Sequence, residues 1–400
     1  MTARPLRILA LTPEDITEGC AFARLATPLQ ALSAAHSITY AFHSISPTRV
    51  AGFGQLMRDL PQWDIVWVQR PHHYTALLLI RAARRLGKPV LVDIDDWILD
   101  LPPEHPAASL VTSSCRETIR LAIQSATALT VSTPVIAERC AALGARAHIV
   151  PNAVDCAQFT REPRREDVVT IGYCGSISHR EDVSVVVPAL REVLHSHAGR
   201  VAVVSVGCPL RGLEGVAGYT HHAPVGATDY PRLLSRLALN VGLAPLQDNA
   251  FTRAKSDIKY LEYAATGALT IASLVAPYSG SVRGDRGVVV AADTPESWHD
   301  AIRRAIDEPG RRDELATNAY QWVRRERSIQ AAATRWETLF YRYAEGTLSH
   351  SSAPPIPHAE TRRFVRVLAN LALHEAPHDA AQVRRVLGRR MHRSGDAHPS

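Results

Sequence analysis

The sequence is short of lysine, of paired cysteines and of long apolar runs. Only three of its 45 basic residues are lysines, and its six cysteines include no C-x-x-C pair. This cysteine spacing supports neither a zinc site nor a disulfide framework, and it is typical of a reducing compartment. No run reaches the ~18 consecutive apolar residues of a membrane-spanning helix, and the apolar run at 6–11 is too short for a signal peptide. We therefore expect a cytoplasmic protein.

The composition is that of an ordinary globular protein. The chain has 400 residues, of which 46% are hydrophobic and 21% are charged. This excludes wholesale disorder and a coiled-coil rod, and at ~150 residues per domain it predicts two or three domains. The net charge of +6 is modest. Because no stripe of basic residues interleaves with aromatic residues outside the C-terminal tail, we do not expect nucleic-acid binding.

Strand-like and helix-like segments alternate up to residue 345. The predicted strands lie at 6–11, 63–69, 89–94, 129–132, 147–150, 168–173, 201–206, 240–244, 269–273 and 287–290. Strands separated by helices of this length predict parallel, doubly wound sheets. A charged linker, REPRRED, interrupts the pattern at 161–167. The sequence therefore predicts an α/β protein with two Rossmann-like domains, 1–160 and 161–345, that face a cleft at the carboxyl ends of their strands.

The remaining segment, 346–400, is rich in arginine and includes a Ser- and Pro-rich stretch at 349–357. We expect a basic, partly disordered tail. The alternative interpretation is a surface that contacts a partner or anionic lipid, which would place the protein peripherally at the inner face of the cell membrane.

The segment DNAFTRAKSDIKYLEYAATGALTIAS at 248–273 carries the most chemical information. Ser256 is a suitable N-cap for a helix that follows a loop with Arg253 and Lys255. The N-terminal amides of that helix and the two cations would together suit a diphosphate. A carboxylate two turns into the helix, Glu262, could accept hydrogen bonds from both hydroxyls of a ribose.

Two of the three lysines, Lys255 and Lys259, lie in this one segment. In a chain so rich in arginine, this indicates that a compact ammonium group matters there, although chance is the alternative. A structural alternative also stays open, because Lys259 and Glu262 have the i,i+3 spacing of an ordinary surface ion pair.

Further motifs add a resemblance to a known family. They are WDIVWVQR at 63–70, LTVSTPVIAERC at 129–140, IVPNAVD at 149–155 and IGYCGSISHREDV at 171–183. Over most of residues 5–345 the chain resembles the GT-B glycosyltransferases, in particular the retaining family called family 4 or group 1. The resemblance implies an N-terminal acceptor-binding domain and a C-terminal domain that binds a sugar nucleotide. The implied reaction moves a sugar from a nucleoside diphosphate sugar to a glycan, lipid-linked or small-molecule acceptor, in polysaccharide or secondary-metabolite biosynthesis.

The resemblance also assigns roles to individual residues. The implied donor-binding residues are Gly19, Gly175, Ser176, His179, Arg180, Lys255, Ser256 and Glu262. The loop at 175–180 would bind the donor phosphates through amides and cations, and Gly19 would let the N-terminal loop approach the donor closely. We expect Lys255 and Arg253 to stabilise negative charge on the leaving diphosphate. Asp95, at a position where the family often has a histidine, completes the candidate catalytic residues.

The chain departs from the family pattern at three positions. Ala254 stands where the family has a second acid, Asp95 stands where it often has a histidine, and Ala153 replaces a glycine of its Pro-Asn-Gly-Val-Asp signature. The expected reaction is retaining, in which the leaving phosphate accepts the acceptor proton. In an inverting reaction Asp95 would be the candidate base.

The motif Asp93-Ile94-Asp95-Asp96 has two interpretations. A D-x-D motif after a strand can hold a divalent cation. The plainer interpretation is that these carboxylates line the acceptor cleft, because no matched ligand set lies nearby in the sequence. We expect no metal site and no cofactor beyond the sugar nucleotide substrate.

Two other functions share this fold. One is a sugar-nucleotide-binding module without catalytic activity, which Ala254 would favour. The other is a nucleotide-sugar epimerase of the two-domain type, which would form an epimer without an acceptor.

Overall fold

The computed structural model describes residues 4–45 and 53–346, so the predicted tail beyond Gly346 lies outside the described residues. Within the described residues, twelve strands form two sheets of six, and every strand pair is parallel. Buried apolar clusters lie against both sheets. This confirms the predicted α/β architecture of two parallel sheets.

The first sheet is built from the N-terminal half of the chain. Its strands are β1 (Leu6–Thr12), β2 (Ile38–Ser44), β3 (Ile65–Gln69), β4 (Val90–Ile94), β5 (Ala128–Val131) and β6 (Ala147–Ile149), in the order β2-β1-β3-β4-β5-β6. The α-helices of this half are α1 (Gly19–Ala21), α2 (Thr27–Ala34), α3 (Phe53–Asp59), α4 (Tyr74–Arg85), α5 (Ser113–Ser125) and α6 (Pro134–Ala142). A five-residue π-helical segment, Phe22–Ala26, joins α1 to α2.

The second sheet is built from the C-terminal half. Its strands are β7 (Val169–Gly175), β8 (Val201–Gly207), β9 (Tyr219–His222), β10 (Val241–Ala244), β11 (Leu269–Ala272) and β12 (Val288–Val289), in the order β12-β11-β10-β7-β8-β9. The α-helices of this half are α7 (Arg180–Ser184), α8 (Val187–Ser196), α9 (Tyr230–Arg236), α10 (Ala250–Arg253), α11 (Ile258–Ala265), α12 (Ala276–Ser279), α13 (Pro295–Asp307), α14 (Pro309–Glu326) and α15 (Ile329–Glu345).

All ten predicted strands are present, with ends shifted by one or two residues. Strand β3 shows why they were recognisable, because its five residues IVWVQ are all buried and are mostly β-branched or aromatic. Strands β2 and β9 were not predicted, and each lies at an edge of its sheet. Their half-exposed sequences, ITYAFHS and YTHH, lack the continuous apolar run of a central parallel strand.

Glycine ends two of the helices that surround the sheets. Gly87 follows α4 with a φ of 72°, and Gly267 follows α11 with a φ of 76°. This left-handed conformation favours glycine, which has no Cβ to clash with the preceding turn.

The last helix, α15, packs against the first sheet although it follows the second in sequence. Trp336 and Phe340 join the apolar cluster around β1 and β3, and the ring centroid of Trp336 lies 4.4 Å from that of Trp67. The chain therefore crosses between the two sheets twice, at Val154 and at Ser328, where these residues form an isolated parallel bridge. The predicted second domain, 161–345, includes this helix, although the helix packs on the first sheet. The two domain ranges stay predictions.

Among the residues that the structure describes, no helix combines the length and the apolar character required to cross a bilayer.

Candidate functional site

A cavity of about 940 Å³ lies between the two halves of the chain. Its walls include residues at or just beyond the carboxyl ends of β1, β3 and β4 in the first sheet and of β7, β8 and β10 in the second. This is the edge where open parallel sheets bind ligands, because loops and helix N-termini converge there. The cavity confirms the predicted cleft.

The N-terminus of α11 opens on this cavity, but its cap differs from the prediction. The N-cap residue is Asp257 and not Ser256, and the Asp257 side chain makes no capping bond. Instead, Asp257 accepts two hydrogen bonds from Arg327, at 2.7 and 2.8 Å. Ser256 Oγ accepts a hydrogen bond of 2.8 Å from Asn152 Nδ2, and both residues line the cavity. The crossover segment at 150–154 is thereby bonded directly to the start of α11.

Glu262 lies deep in the C-terminal wall of the cavity. Its Oε2 accepts a hydrogen bond of 3.1 Å from the hydroxyl of Tyr230, which also lines the cavity. Burial raises the pKa of Glu262 to about 7, although Lys259 and the Tyr230 hydroxyl act in the opposite direction. Lys259 is 9% exposed and lines the same wall. The interpretation of Lys259 and Glu262 as a solvated surface pair was therefore wrong.

The two cations of the loop before α11 separate in space. Lys255 lines the cavity, with its Nζ 3.7 Å from Asp96 Oδ2 of the opposite half and 4.5 Å from the ring centroid of Phe251. Arg253 points away from the cavity into solvent and forms a two-bond ion pair with Asp248. The expectation that Arg253 lies beside the diphosphate was wrong, because α10 turns its side chain outward.

The loop after β7 contributes backbone and small side chains to the cavity, but no solvent-facing cation. Gly175, Ser176 and His179 line it, as expected. Burial and the nearby lysines keep the pKa of His179 well below its ordinary value, and its Nδ1 lies 2.7 Å from Asp182. Arg180 does not reach the cavity. It pairs with Glu181 and borders a separate surface depression, so its predicted place at the donor phosphates was wrong.

The opposite wall is organised around Arg70, at the carboxyl end of β3. Its guanidinium donates to Glu14 at 2.7 Å and to both oxygens of Asp95 at 2.7 and 3.0 Å, and it lies 3.6 Å from Asp96. The backbone of Arg70 has a φ of 46°, in the left-handed region that arginine rarely adopts. The surrounding carboxylates hold this strained residue in place, and Asp95 lines the cavity as expected.

The D-x-D carboxylates are committed to arginines. Asp93 is fully buried and accepts hydrogen bonds of 2.6 and 3.0 Å from Arg24 of the π-helical segment. Asp95 is paired with Arg70, as described above. Across residues 4–45 and 53–346, no group of three or more His, Cys, Asp or Glu side chains has an arrangement that could hold a metal ion.

The surroundings of Gly19 and Ala254 differ from those expected from the sequence. Gly19 lines the cavity, but a Cβ built on it would meet no atom within 4 Å, so close packing does not require glycine there. Ala254 is fully buried against the core of the first sheet, and its carbonyl accepts a hydrogen bond of 3.0 Å from Thr133 Oγ1. The methyl group of Ala254 thus packs at the interface between the two halves.

Sequence reasoning gave no role in the site to three residues that shape the cavity. Tyr230, Arg70 and Lys259 all line it, and of these only Lys259 was singled out from the sequence. The rarity of lysine was a signal for Lys259, and the position directly after a buried strand was a signal for Arg70. Tyr230 gave no local signal, because its contact with Glu262 spans 32 positions.

Comparison with family models gives two matches that together cover most of the chain. Residues 3–153 match a glycosyl transferase 4-like domain, and residues 186–338 match a model described as glycosyl transferase-like. The comparison with curated proteins finds no match.

Solved structures share the fold over nearly their full length. Anabaena HepE, solved with UDP and glucose, has a TM-score of 0.62 at 14% identity, covering 84% of this chain and 99% of its own. Sucrose-phosphate synthase from Thermosynechococcus elongatus has a TM-score of 0.63 at 14% identity, covering 85% and 100%. A glycosyltransferase from Rickettsia africae has a TM-score of 0.64 at 11% identity, covering 86% and 100%. At these identities the comparison shows a common fold.

Proposed function

Because the chain belongs to the GT-B glycosyltransferases of the family 4 or group 1 type, we propose that it transfers a sugar from a nucleoside diphosphate sugar to an acceptor hydroxyl. The observation that carries this proposal is the cavity between the sheets. Its C-terminal wall presents a buried carboxylate, Glu262, and two lysines at the start of α11, and its N-terminal wall presents the carboxylates around Arg70. From the C-terminal wall to the N-terminal wall, these groups suit a ribose, then a diphosphate, then a polyol.

In the proposed reaction the C-terminal half holds the donor. Glu262 accepts hydrogen bonds from the ribose hydroxyls, while Lys255 and the amides at the start of α11 face the diphosphate. As the glycosidic bond to phosphate breaks, negative charge grows on the leaving diphosphate. A preorganised ammonium group stabilises that charge more strongly than water does, because it needs no reorganisation. Enclosure between the two halves excludes water and so suppresses hydrolysis of the donor.

The N-terminal half holds the acceptor in this proposal. Both oxygens of Asp95 accept hydrogen bonds from Arg70, so this carboxylate is oriented and charge-balanced. That arrangement favours a role in positioning an acceptor hydroxyl over a role as a free base. We therefore propose a retaining reaction, in which an oxygen of the leaving phosphate takes the acceptor proton. The proposal requires no divalent metal, since the lysines supply the positive charge.

Release of nucleoside diphosphate from a panel of sugar nucleotides tests this function. We expect turnover with one donor class in the presence of EDTA. Lys255→Ala should lower turnover by at least ~100-fold, because it removes a group that stabilises the transition state. The matched control is Arg253→Ala, which removes a cation two positions away and outside the cavity, and turnover should stay within about threefold of the wild type.

The products separate the proposal from its alternatives. The anomeric configuration of the product, read by NMR, should equal that of the donor, and an inverted anomer would contradict the retaining reaction. Binding without turnover would instead indicate a module without catalytic activity, and an epimer formed without acceptor would indicate an epimerase. Equal losses in Lys255→Ala and Arg253→Ala would remove Lys255 from its proposed role.

A further inference from the structure

The N-terminal wall of the cavity continues beyond Asp96 into an apolar surface. Four side chains on the connection between β4 and α5 line the cavity and are here called the apolar wall: Ile98, Leu101, Leu110 and Val111. Leu110 is 71% exposed, and the other three are partly buried. One exposed leucine is ordinary on a protein surface, but an apolar surface that continues into a cavity is typical of a ligand site.

The same connection keeps its charged side chains out of the cavity. Between Trp97 and Cys115 the only Asp, Glu, Lys or Arg residues are Asp100 and Glu104, and neither lines the cavity. Asp100 instead accepts a hydrogen bond of 2.8 Å from Nε1 of Trp97. The part of the cavity wall that this connection builds therefore has no carboxylate, ammonium or guanidinium group.

Local contacts hold the apolar wall in shape. The backbone N–H of Ala108 donates to the carbonyl of His105 at 2.8 Å, and that of Leu110 donates to the carbonyl of Ala107 at 3.1 Å. The ring of His105 packs against Phe251 of the C-terminal half, with ring centroids 5.2 Å apart. Consecutive turns and a contact across the cleft therefore fix the position of Leu110 at the cavity.

The same half of the cavity has two buried polar atoms without hydrogen-bond partners. Asp96, two positions before Ile98, and His72 both line the cavity. Asp96 Oδ1 and His72 Nδ1 have no partner among the described residues. Burial lowers the pKa of His72 to about 4, so its ring is neutral at pH 7. Buried polar atoms in proteins are nearly always hydrogen-bonded, so these two atoms indicate a ligand that carries hydroxyl groups.

The sugar nucleotide does not account for the apolar wall. In the proposed function its ribose and diphosphate lie along the C-terminal wall, at Glu262 and Lys255, and the transferred sugar carries hydroxyl groups around its ring. The apolar wall belongs to the other half of the chain, which holds the acceptor in that proposal. Hydrocarbon that covers this wall must therefore come from the acceptor.

Resting on the proposed function, we propose that the acceptor is amphipathic, with a hydroxyl-bearing head joined to an aliphatic chain. The head binds at His72 and Asp96, where its reacting hydroxyl meets the donor. The chain covers the apolar wall and displaces water from Leu110. The wall consists of aliphatic side chains, which suit a flexible hydrocarbon chain, whereas a planar aromatic group prefers aromatic neighbours.

Titration with alkyl glycosides tests the proposal, because the methyl and octyl glycosides of one sugar differ only in hydrocarbon. The protein is saturated with the nucleoside diphosphate that it binds. It is then titrated by calorimetry with the methyl and octyl β-glycosides of glucose, galactose and mannose, below the concentration at which micelles form. Each buried methylene group is worth about a factor of four in affinity. Burial of three of the added methylenes predicts that the preferred octyl glycoside binds at least ~50-fold more tightly than its methyl equivalent.

Two substitutions separate the chain from the head. Leu110→Asn replaces an apolar side chain by a polar one of similar size, so octyl glycoside affinity should fall by about tenfold, while methyl glycoside affinity should stay within about threefold. His72→Leu removes both ring nitrogens and should weaken both glycosides by the same factor, about fivefold. The matched control is Leu86→Asn, since Leu86 is 49% exposed and lies outside the cavity. It should match the wild type with both glycosides.

The contrary outcomes are distinct. Equal affinity for octyl and methyl glycosides, no binding of any octyl glycoside, or equal effects of Leu110→Asn and Leu86→Asn would overturn the amphipathic acceptor. A phenyl glycoside that binds more tightly than the octyl one would overturn the aliphatic chain. A protein that binds octyl glycosides but no nucleoside diphosphate would instead contradict the proposed function.

Thermal unfolding without ligand tests whether the protein's own chain covers Leu110. Because this side chain is exposed, we expect Leu110→Asn to melt within about 2 °C of the wild type. A larger fall would show that another part of the protein occupies the apolar wall, and the acceptor would then not be its ligand.

Discussion

Glu262 is the residue through which pH should control donor binding. Burial raises its pKa to about 7, and only the ionised carboxylate can accept hydrogen bonds from both ribose hydroxyls through charged oxygens. We expect nucleoside affinity to weaken as the pH falls from about 8 to about 6, by up to about tenfold per pH unit below the pKa. Calorimetric titration across this range measures the effect, and Glu262→Gln should show weak, pH-independent binding.

The same carboxyl group should make the folded protein less stable as the pH rises, whereas it should make nucleoside binding stronger. Its pKa is raised from an ordinary value of 4.5, so between pH 4.5 and about 7 the folded protein keeps a proton that the unfolded chain has lost. Glu262 therefore lowers the free energy of unfolding as the pH rises through this window. The difference in free energy of unfolding between the wild type and Glu262→Gln isolates this contribution. A pH-independent difference, together with pH-independent nucleoside binding, would contradict the raised pKa.

At the residue scale, sequence reasoning identified the right segment but not every side chain. The structure places Lys255 and Glu262 in the cavity, while Arg253 and Arg180 point away from it. Residue type and spacing cannot separate these cases, because a short helix or turn sets the direction of each side chain. The capping role expected for Ser256 was wrong for a related reason, since its partner Asn152 comes from the other half of the chain.

At the element scale, the π-helical segment Phe22–Ala26 has a clear structural role. It carries Arg24, which is 2% exposed and bonds to Asp93 of β4, to the carbonyl of Val150 at 2.6 Å and to Asn152 at 3.1 Å. The guanidinium also lies 5.1 Å from the ring centroid of Trp336 on α15. One side chain thus joins the π-helical segment, a central strand, the crossover segment and the last helix.

Removing this side chain should be strongly destabilising. Arg24→Met leaves the Asp93 carboxylate buried without its counter-charge, so we expect the free energy of unfolding to fall by about 3–5 kcal/mol. Urea denaturation measures this difference. The matched control is Arg303→Met, which breaks an ion pair with Asp307 at 3.3 Å in which both side chains are about half exposed.

The control pair should contribute little, because solvent screens it and its side chains lose conformational freedom on pairing. We expect Arg303→Met to change the free energy of unfolding by less than about 1 kcal/mol. Similar effects of the two substitutions would show that burial does not distinguish these pairs, and the role given to Arg24 would then be wrong.

At the scale of the whole molecule, the alternation of strands and helices was enough to predict two parallel sheets and the cleft between them. Buried central strands can be recognised in a sequence by their largely apolar runs, as β3 and β4 can. The return of α15 to the first sheet was not predictable, because a helix carries no local sign of the sheet that its apolar face will cover. The same holds for the contacts that cross the cleft, such as Lys255 with Asp96.

The central claim is that the cleft binds a nucleoside diphosphate sugar, and a thermal-shift panel tests it most directly. UDP, GDP, ADP and TDP, with CMP as a monophosphate and with the common sugars of each, are compared in the presence and absence of EDTA. A ligand that binds only the folded protein adds ~2.7 kcal/mol of stability at 100 times its Kd. We expect one nucleoside diphosphate class to raise the melting temperature with EDTA present, and Lys255→Ala to lose that shift. Unchanged melting with every nucleotide would contradict the claim.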